Sequence, residues 1–216
     1  MTRAAMRALG LALALSAPLA CVGPIVDDEV HEVDPKTLAR VAVAPFLPAP
    51  DFKGSGDPGV SSGGEGAEAA AVTSRIASDA LAAAGFDVIP ASDVANVFEA
   101  AGKPVPHGDE AAFAQVVAKE FGATSVLFGK VYRYRERRGG DLGATRPASV
   151  GIELALHAAP GARLLWTARF DHTQHALSEN ALVARKYPGA GSRWLTAAEL
   201  VRWGLDAATK RLTELR

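Results

Sequence analysis

The sequence predicts an α/β domain with α+β character in its second half: a mixed sheet with a C-terminal antiparallel hairpin, flanked by helices, in a single domain. Three observations predict it. Between residues 40 and 135, β-branched apolar runs alternate with stretches of helical spacing, the pattern of strands covered by helices. Between residues 148 and 172, two alternating runs flank a Pro-Gly turn, which reads as a hairpin. The chain then closes on a run opened by Thr196 and Glu199, the spacing of a capping box.

Taken in order, "RVAVAPF" (40–46) is a short buried strand ended by prolines. The stretch 47–64, rich in Gly, Pro and Ser, predicts a long loop. Val72, Ile76, Ala80 and Leu81 fall at helical spacing, and Gly85 marks the helix end. "FDVIP" (86–90) is a second strand. Ser92 is placed to cap a helix with Val94, Val97, Phe98 and Ala101 on one face, and Asp109 to cap another with Phe113, Val116 and Val117 inward, closed by Gly122. "ATSVLFGKVYRYR" (123–135) is a third strand. Val150, Ile152, Leu154 and Leu156 share one face of a fourth, and Leu164, Trp166, Ala168 and Phe170 one face of a fifth. The stretch 174–195 is a second long loop. In the last helix Val201, Leu205, Ala208, Leu212 and Leu215 form a seam too short for a coiled coil, so it packs on the sheet.

Ahead of the domain, Arg3 and Arg7 precede "ALGLALALSA" (8–17). A membrane-spanning helix needs about 20 apolar residues, so this run reads as a secretory signal. The only cysteine, Cys21, follows it. Leu19, Ala20 and Cys21 resemble the end of a bacterial lipoprotein signal, although Pro18 stands where Leu is usual. The resemblance implies a signal peptide over 1–20, diacylglycerol on the Cys21 thiol, and a further acyl chain such as palmitate on its amine. Val22 is not the Asp that such signals use for inner-membrane retention. The expected location is therefore the periplasmic face of the outer membrane. Residues 21–39, acidic and without periodicity, read as a flexible tether, which at about 3.3 Å per residue would reach roughly 65 Å. A lone cysteine excludes an intrachain disulfide.

The chain carries 23 Lys and Arg against 24 Asp and Glu. Residues 1–20 hold two of the arginines and no acid, leaving 21 against 24, a net charge of −3. No clustered basic face for nucleic acid follows from that balance. The Gly-rich stretch before the first helix lacks the lysine of a phosphate-binding loop; Glu65 follows Gly64 instead. There is no G-x-S-x-G elbow, and the pair Asp171 and Glu179 has no spacing that defines a hydrolytic site. His172 and His175 are weak metal candidates, since three residues apart on a strand they point to opposite faces. His31, His107 and His157 are scattered. No enzyme, cofactor or resident metal is expected.

"RVAVAPF", "AAAGFDVIP", "KEFGATSVLFGKVYRY" and "PGARLLWTARF" occur in an order that resembles a group of envelope α/β domains over residues 38–215. The group includes the amino-terminal domain of TolB, the curli-secretion lipoprotein and lipoproteins that activate penicillin-binding proteins. The resemblance implies a lipid-anchored, non-enzymatic binding, scaffold or activator module of an envelope assembly. The alternative is a homo-oligomeric structural subunit of an envelope or secretion complex; a metal-binding or hydrolytic protein ranks behind both. Residues 131–147 are charged and Gly-rich, which departs from the alternating strands of a membrane pore. Tyr132, Arg133, Tyr134, Arg135, Arg137 and Arg138 at the strand end, with Tyr187 and Trp194 in the long loop, are the expected partner interface, because Tyr, Trp and Arg anchor protein contacts. The expected partners are the membrane, an envelope protein and a second copy of the chain.

Overall fold

The structure, a computed structural model, describes residues 25–56, 61–102, 108–176 and 186–216. Its strands are β1 (Asp27–Val30), β2 (Val41–Val43), β3 (Leu47–Lys53), β4 (Val88–Ile89), β5 (Ser125–Arg135), β6 (Arg138–Gly139), β7 (Ala144–Arg146), β8 (Ser149–Ala158) and β9 (Leu164–Thr173). Its helices are α1 (Ser62–Ala83), α2 (Ala91–Ala100), α3 (Glu110–Phe121) and α4 (Ala197–Thr213). The main sheet is mixed and seven-stranded, in the order β1-β9-β8-β5-β2-β4, with β3 also on β5; β6 and β7 pair separately.

Alternation along β2 shows how the layers are built. Val41 and Val43 face a core shared with α1 and α4, while Ala42 and Ala44 face a second core with α2 and α3. Neighbouring strand residues point to opposite faces, so helices cover both sides of the sheet. The larger core holds Trp166, Leu156, Ile152 and Leu165, each at most 1% exposed, against Leu200, Val201, Leu205 and Leu212 of α4. Each such side chain contributes about 1.5–3 kcal/mol on burial. In the smaller core, Phe98 stacks on Phe113, with Phe128 edge-on to Phe113.

The expected hairpin is β8–β9, in register from Ser149↔Thr173 to Leu156↔Trp166. Thr196 and Glu199 form the capping box of α4, and the Asp109 carboxylate accepts from the Ala112 amide to cap α3. Gly122 ends α3 at φ 66°, a left-handed conformation that glycine adopts without a Cβ clash. The N-cap of α2 is Pro90 rather than Ser92.

Two stretches differ from their expected form. The first is the tether. From Ile25 onward the chain is folded: β1 pairs antiparallel with β9, and residues 35–38 form a 3-10 helix whose Leu38 is fully buried. Asp28 fixes this edge, accepting from Trp166 Nε1 at 3.2 Å and Arg211 Nε at 3.1 Å. The sequence DDEV gave no apolar alternation because three of its four residues are exposed, and the strand is held by backbone pairing. The second is the loop over 47–64. Its first half is β3, parallel to β5, with a register irregularity between Pro48 and Lys53. Pro48 and Pro50 cannot donate to a ladder, which suits an interrupted strand but hides it in sequence. The loop's end is also helical, since α1 begins at Ser62. The signal segment 1–20, Cys21, His107 and Glu179 lie outside the described residues, as does the middle of the 174–195 connection.

Candidate functional site

At the Arg135 end of the sheet, the expected interface residues are tied into the fold to different degrees. Opposite β8, the register of β5 shifts between Val131 and Arg133. The Arg133 guanidinium donates to Ser149 Oγ at 2.7 Å, to the Val150 carbonyl at 3.3 Å and to the Asp171 carboxylate. A single side chain thus spans β5, β8 and β9. Burial alone would raise the Asp171 carboxyl, but hydrogen bonds from Arg133 and Arg169 outweigh it and hold the group below its ordinary value.

On the face opposite α1 and α4, the Tyr132 hydroxyl donates to the Glu153 carboxylate, with the Arg169 guanidinium 5.9 Å from the ring centre. That hydrogen bond, aided by burial, pushes the Tyr132 hydroxyl up to about 12. Lower on this face, α2 and α3 cover Val126 and Phe128. Higher up, Lys130, Tyr132, Glu153, Arg169 and Asp171 form a polar surface. Tyr134 turns the other way, packs against the larger core, and is also pushed up to about 12, chiefly by burial.

Past the strand, the side chains hold the 186–196 connection. Arg137 donates to the Trp194 carbonyl, and the Trp194 amide donates to the Asp141 carbonyl at 2.7 Å. Glu136 accepts from the Ala197 amide at 3.1 and 3.2 Å, placing a carboxylate at the positive end of α4. Gln174, only 3% exposed, accepts from the Leu195 amide at 2.7 Å and donates to the Arg193 carbonyl at 2.9 Å. Arg193 grips Glu199 at 2.7 and 2.9 Å, and this contact, against a burial effect of opposite sign, holds the Glu199 carboxyl at about 2. Arg135 is half-buried and Arg138 is exposed on β6.

Tyr187 is 2% exposed and sits inside an aromatic cluster with His172 and Trp203. The His172 Nε2 is hydrogen-bonded to the Tyr187 hydroxyl, and the ring stacks on Phe170 with centroids 6.0 Å apart. Burial, reinforced by His175, pushes the His172 imidazole down to about 4, so it is neutral at physiological pH. The His175 ring lies edge-on at 6.4 Å, and its backbone amide donates to the same Tyr187 hydroxyl at 3.2 Å. The two histidines therefore do come together, around a tyrosine. Among the described residues, no group of three or more His, Cys, Asp or Glu could hold a metal ion.

A second feature escaped the sequence reading. β2 leads through β3 to α1 on one face of the sheet, and β4 leads to α2 on the other. Between the carboxyl ends of these adjacent strands a crevice opens, the place where open α/β sheets bind ligands. There a largely apolar groove of about 750 Å³ is lined by Pro45, Phe46, Pro48, Ala71, Pro90 and Ala95, with Arg75 and Asp79 on one wall. The sequence signal was the prolines directly after two short strands.

No protein-family model matches the chain, and no curated protein matches it. Among solved structures, it is similar to the PelC dodecamer from Paraburkholderia phytofirmans, with 19% identity and a TM-score of 0.43, over 84% of this chain and 96% of that one. It is also similar to the lipoprotein GNA1162 from Neisseria meningitidis, with 22% identity and a TM-score of 0.39, over 67% and 87%. At these scores nothing about the role or assembly of this chain follows from the likeness.

Proposed function

We propose that the chain is a lipid-anchored envelope lipoprotein whose α/β domain binds another envelope protein without catalysing a reaction on it. The observation that carries this reading is the position of Cys21. It follows an arginine-flanked apolar run and stands four residues ahead of Ile25, from which point the chain is folded. Acylation there, at about 0.8 kcal/mol per buried CH₂, gives an anchor that does not dissociate on cellular timescales. The anchor lies in the outer membrane with the domain on the periplasmic side, in keeping with Val22 after the cysteine.

The partner is met on the polar sheet face around Tyr132 and Arg133. Arg133, on β5 and bonded to both β8 and β9, and Tyr132, bonded to Glu153, are held in place before any partner arrives. Side chains ordered in advance lose less entropy on binding. The test is photo-crosslinking in intact cells, with the probe replacing Tyr132 in one strain and Ala71 of the groove in another. An adduct with a different envelope protein from position 132 is expected. Adducts only at multiples of the chain's own mass would replace the binding module with a self-assembling subunit. Capture from position 71 alone would move the interface to the groove.

A further inference from the structure

The groove at the carboxyl ends of β2 and β4 has a wall on α1 and another on α2, and the serine hydroxyls along it all donate within the fold. Ser74 Oγ donates to the Ala71 carbonyl at 3.1 Å. Ser78 Oγ donates to the Ser74 carbonyl at 3.0 Å and accepts from the Ala91 amide at 3.3 Å. Ser92 Oγ donates to the Asp93 carboxylate at 3.2 Å. A ligand therefore meets mostly Pro, Phe, Ala and Val side chains, which favour an apolar body by displacing water rather than by directed hydrogen bonds.

Shape narrows the choice further. α1 lines the groove from Ala67 to Ala82, about 22 Å along the helix axis at 1.5 Å per residue. Ala67, Ala71, Ser74, Ser78 and Ala82 recur at three- and four-residue steps and so share one helix face. Their small side chains leave the trough open along its length. Its volume of about 750 Å³ is that of a small-ligand site, about 300–1,000 Å³. A trough this long takes a linear chain better than a compact ring system.

The rim sets the charge. Two charged side chains line the groove, Arg75 and Asp79. Asp79 is paired with Arg202 of α4 at 3.3 Å. Arg75 is exposed and makes no hydrogen bond or ion pair among the described residues. The rim thus carries one uncompensated positive charge, which a single anionic group at the end of the apolar body complements.

We propose that the groove is a binding site for one linear acyl chain with an anionic end group, the chemistry shared by a free fatty acid and an anionic lysophospholipid. The chain lies along the small-residue face of α1, against Phe46 and Pro90, and its anionic end meets the Arg75 guanidinium. The site shares no residue with the polar face around Tyr132, and it stands whether or not Cys21 is acylated.

The test uses the purified full chain in amphipol, which keeps an acylated protein soluble without detergent. The probe is palmitate with a diazirine in its chain, and cross-linked peptides are identified by mass spectrometry. Label is expected within residues 45–48 and 67–95 and not on α3. Ala71 is exposed, so Ala71→Trp fills the trough at little cost to folding and should remove most of the label at unchanged Tm. Ala95→Trp, from the α2 wall, should do the same. Arg75→Glu should weaken labelling severalfold, and Arg75→Lys should keep most of it. Label spread over the whole surface, or surviving both tryptophan variants, would overturn the site. Equal labelling by a hexadecylamine probe, or indifference to Arg75→Glu, would overturn the anionic end. Unlabelled palmitate and lysophosphatidylglycerol compete in separate arms: displacement by either supports the proposal and identifies the source, and displacement by neither overturns it.

Discussion

Replacing Asp28 by alanine separates a folded N-terminal edge from a tether. The carboxylate is only 9% exposed and accepts from two donors: Trp166 Nε1 at 3.2 Å and Arg211 Nε at 3.1 Å. The two losses differ in size. Trp166 is 1% exposed, so its indole N–H would be left buried without a partner, at a cost of about 1–3 kcal/mol. Arg211 is 49% exposed and can turn to water, so its pair is worth at most about 1 kcal/mol. The sum is roughly 1–4 kcal/mol. For a domain of this size that is a fall in Tm of roughly 2–16 °C. Urea unfolding followed by tryptophan fluorescence reads the change directly, because Trp166 is one of three tryptophans. Asp28→Asn, which retains an oxygen to accept from Trp166, should lose less than half as much. A value for Asp28→Ala within about 0.5 kcal/mol of the parent, the range of ordinary surface substitutions, would refute the docking of β1. The short span to Cys21 would then fall as well.

Three further outcomes are expected. Gln174→Ala leaves the Leu195 amide without its partner in a fully buried setting and should cost about 2–3 kcal/mol, with new proteolytic cleavage in the 186–196 connection; unchanged stability would remove the staple. Gly129→Ala brings a Cβ within 2.5 Å of the buried Phe46 ring, an overpacking worth about 1–3 kcal/mol by thermal unfolding. Burial holds His172 at about 4 in the fold against an ordinary value of 6.5. The unfolded chain therefore takes up a proton that the folded one refuses, so the stabilising contribution is full above about pH 6.5 and is lost as pH falls toward 4. Because the ring is partly exposed, solvent screening leaves that contribution at about 1–2 kcal/mol. His172→Phe should flatten that part of the pH profile; an unchanged profile would place the proton elsewhere.

The parts of the fold that sequence made legible are those whose burial is written in periodicity. Val150, Ile152, Leu154 and Leu156 alternate because one face of β8 is core, and α4 announces itself through Thr196 and Glu199. β1 and β3 were illegible for a common reason: each lies at an interrupted or outer position, where few of its side chains are buried. An acidic DDEV and a proline-bearing LPAPDFK, in which Ala49 alone is fully buried, carry no alternation to read. At the site, the arginine and tyrosine types were visible on β5, but their engagements were not. Arg133 meets Asp171 across 38 residues, and Arg137 meets Trp194 across 57. Tyr187, expected at an interface, is buried because His172 and Trp203 supply a cluster whose members lie far apart in the chain. The groove was hidden for the same reason, since its walls come from either side of a crossover.

The central claim is that a rigid domain is held against the membrane by lipid on Cys21. Intact mass measurement of the full chain recovered from the membrane fraction tests it most directly. The account predicts a mature protein beginning at Cys21 and heavier than its sequence by a diacylglyceryl group and an acyl chain. A mature protein lacking Cys21, or one with an unmodified thiol there, would contradict it.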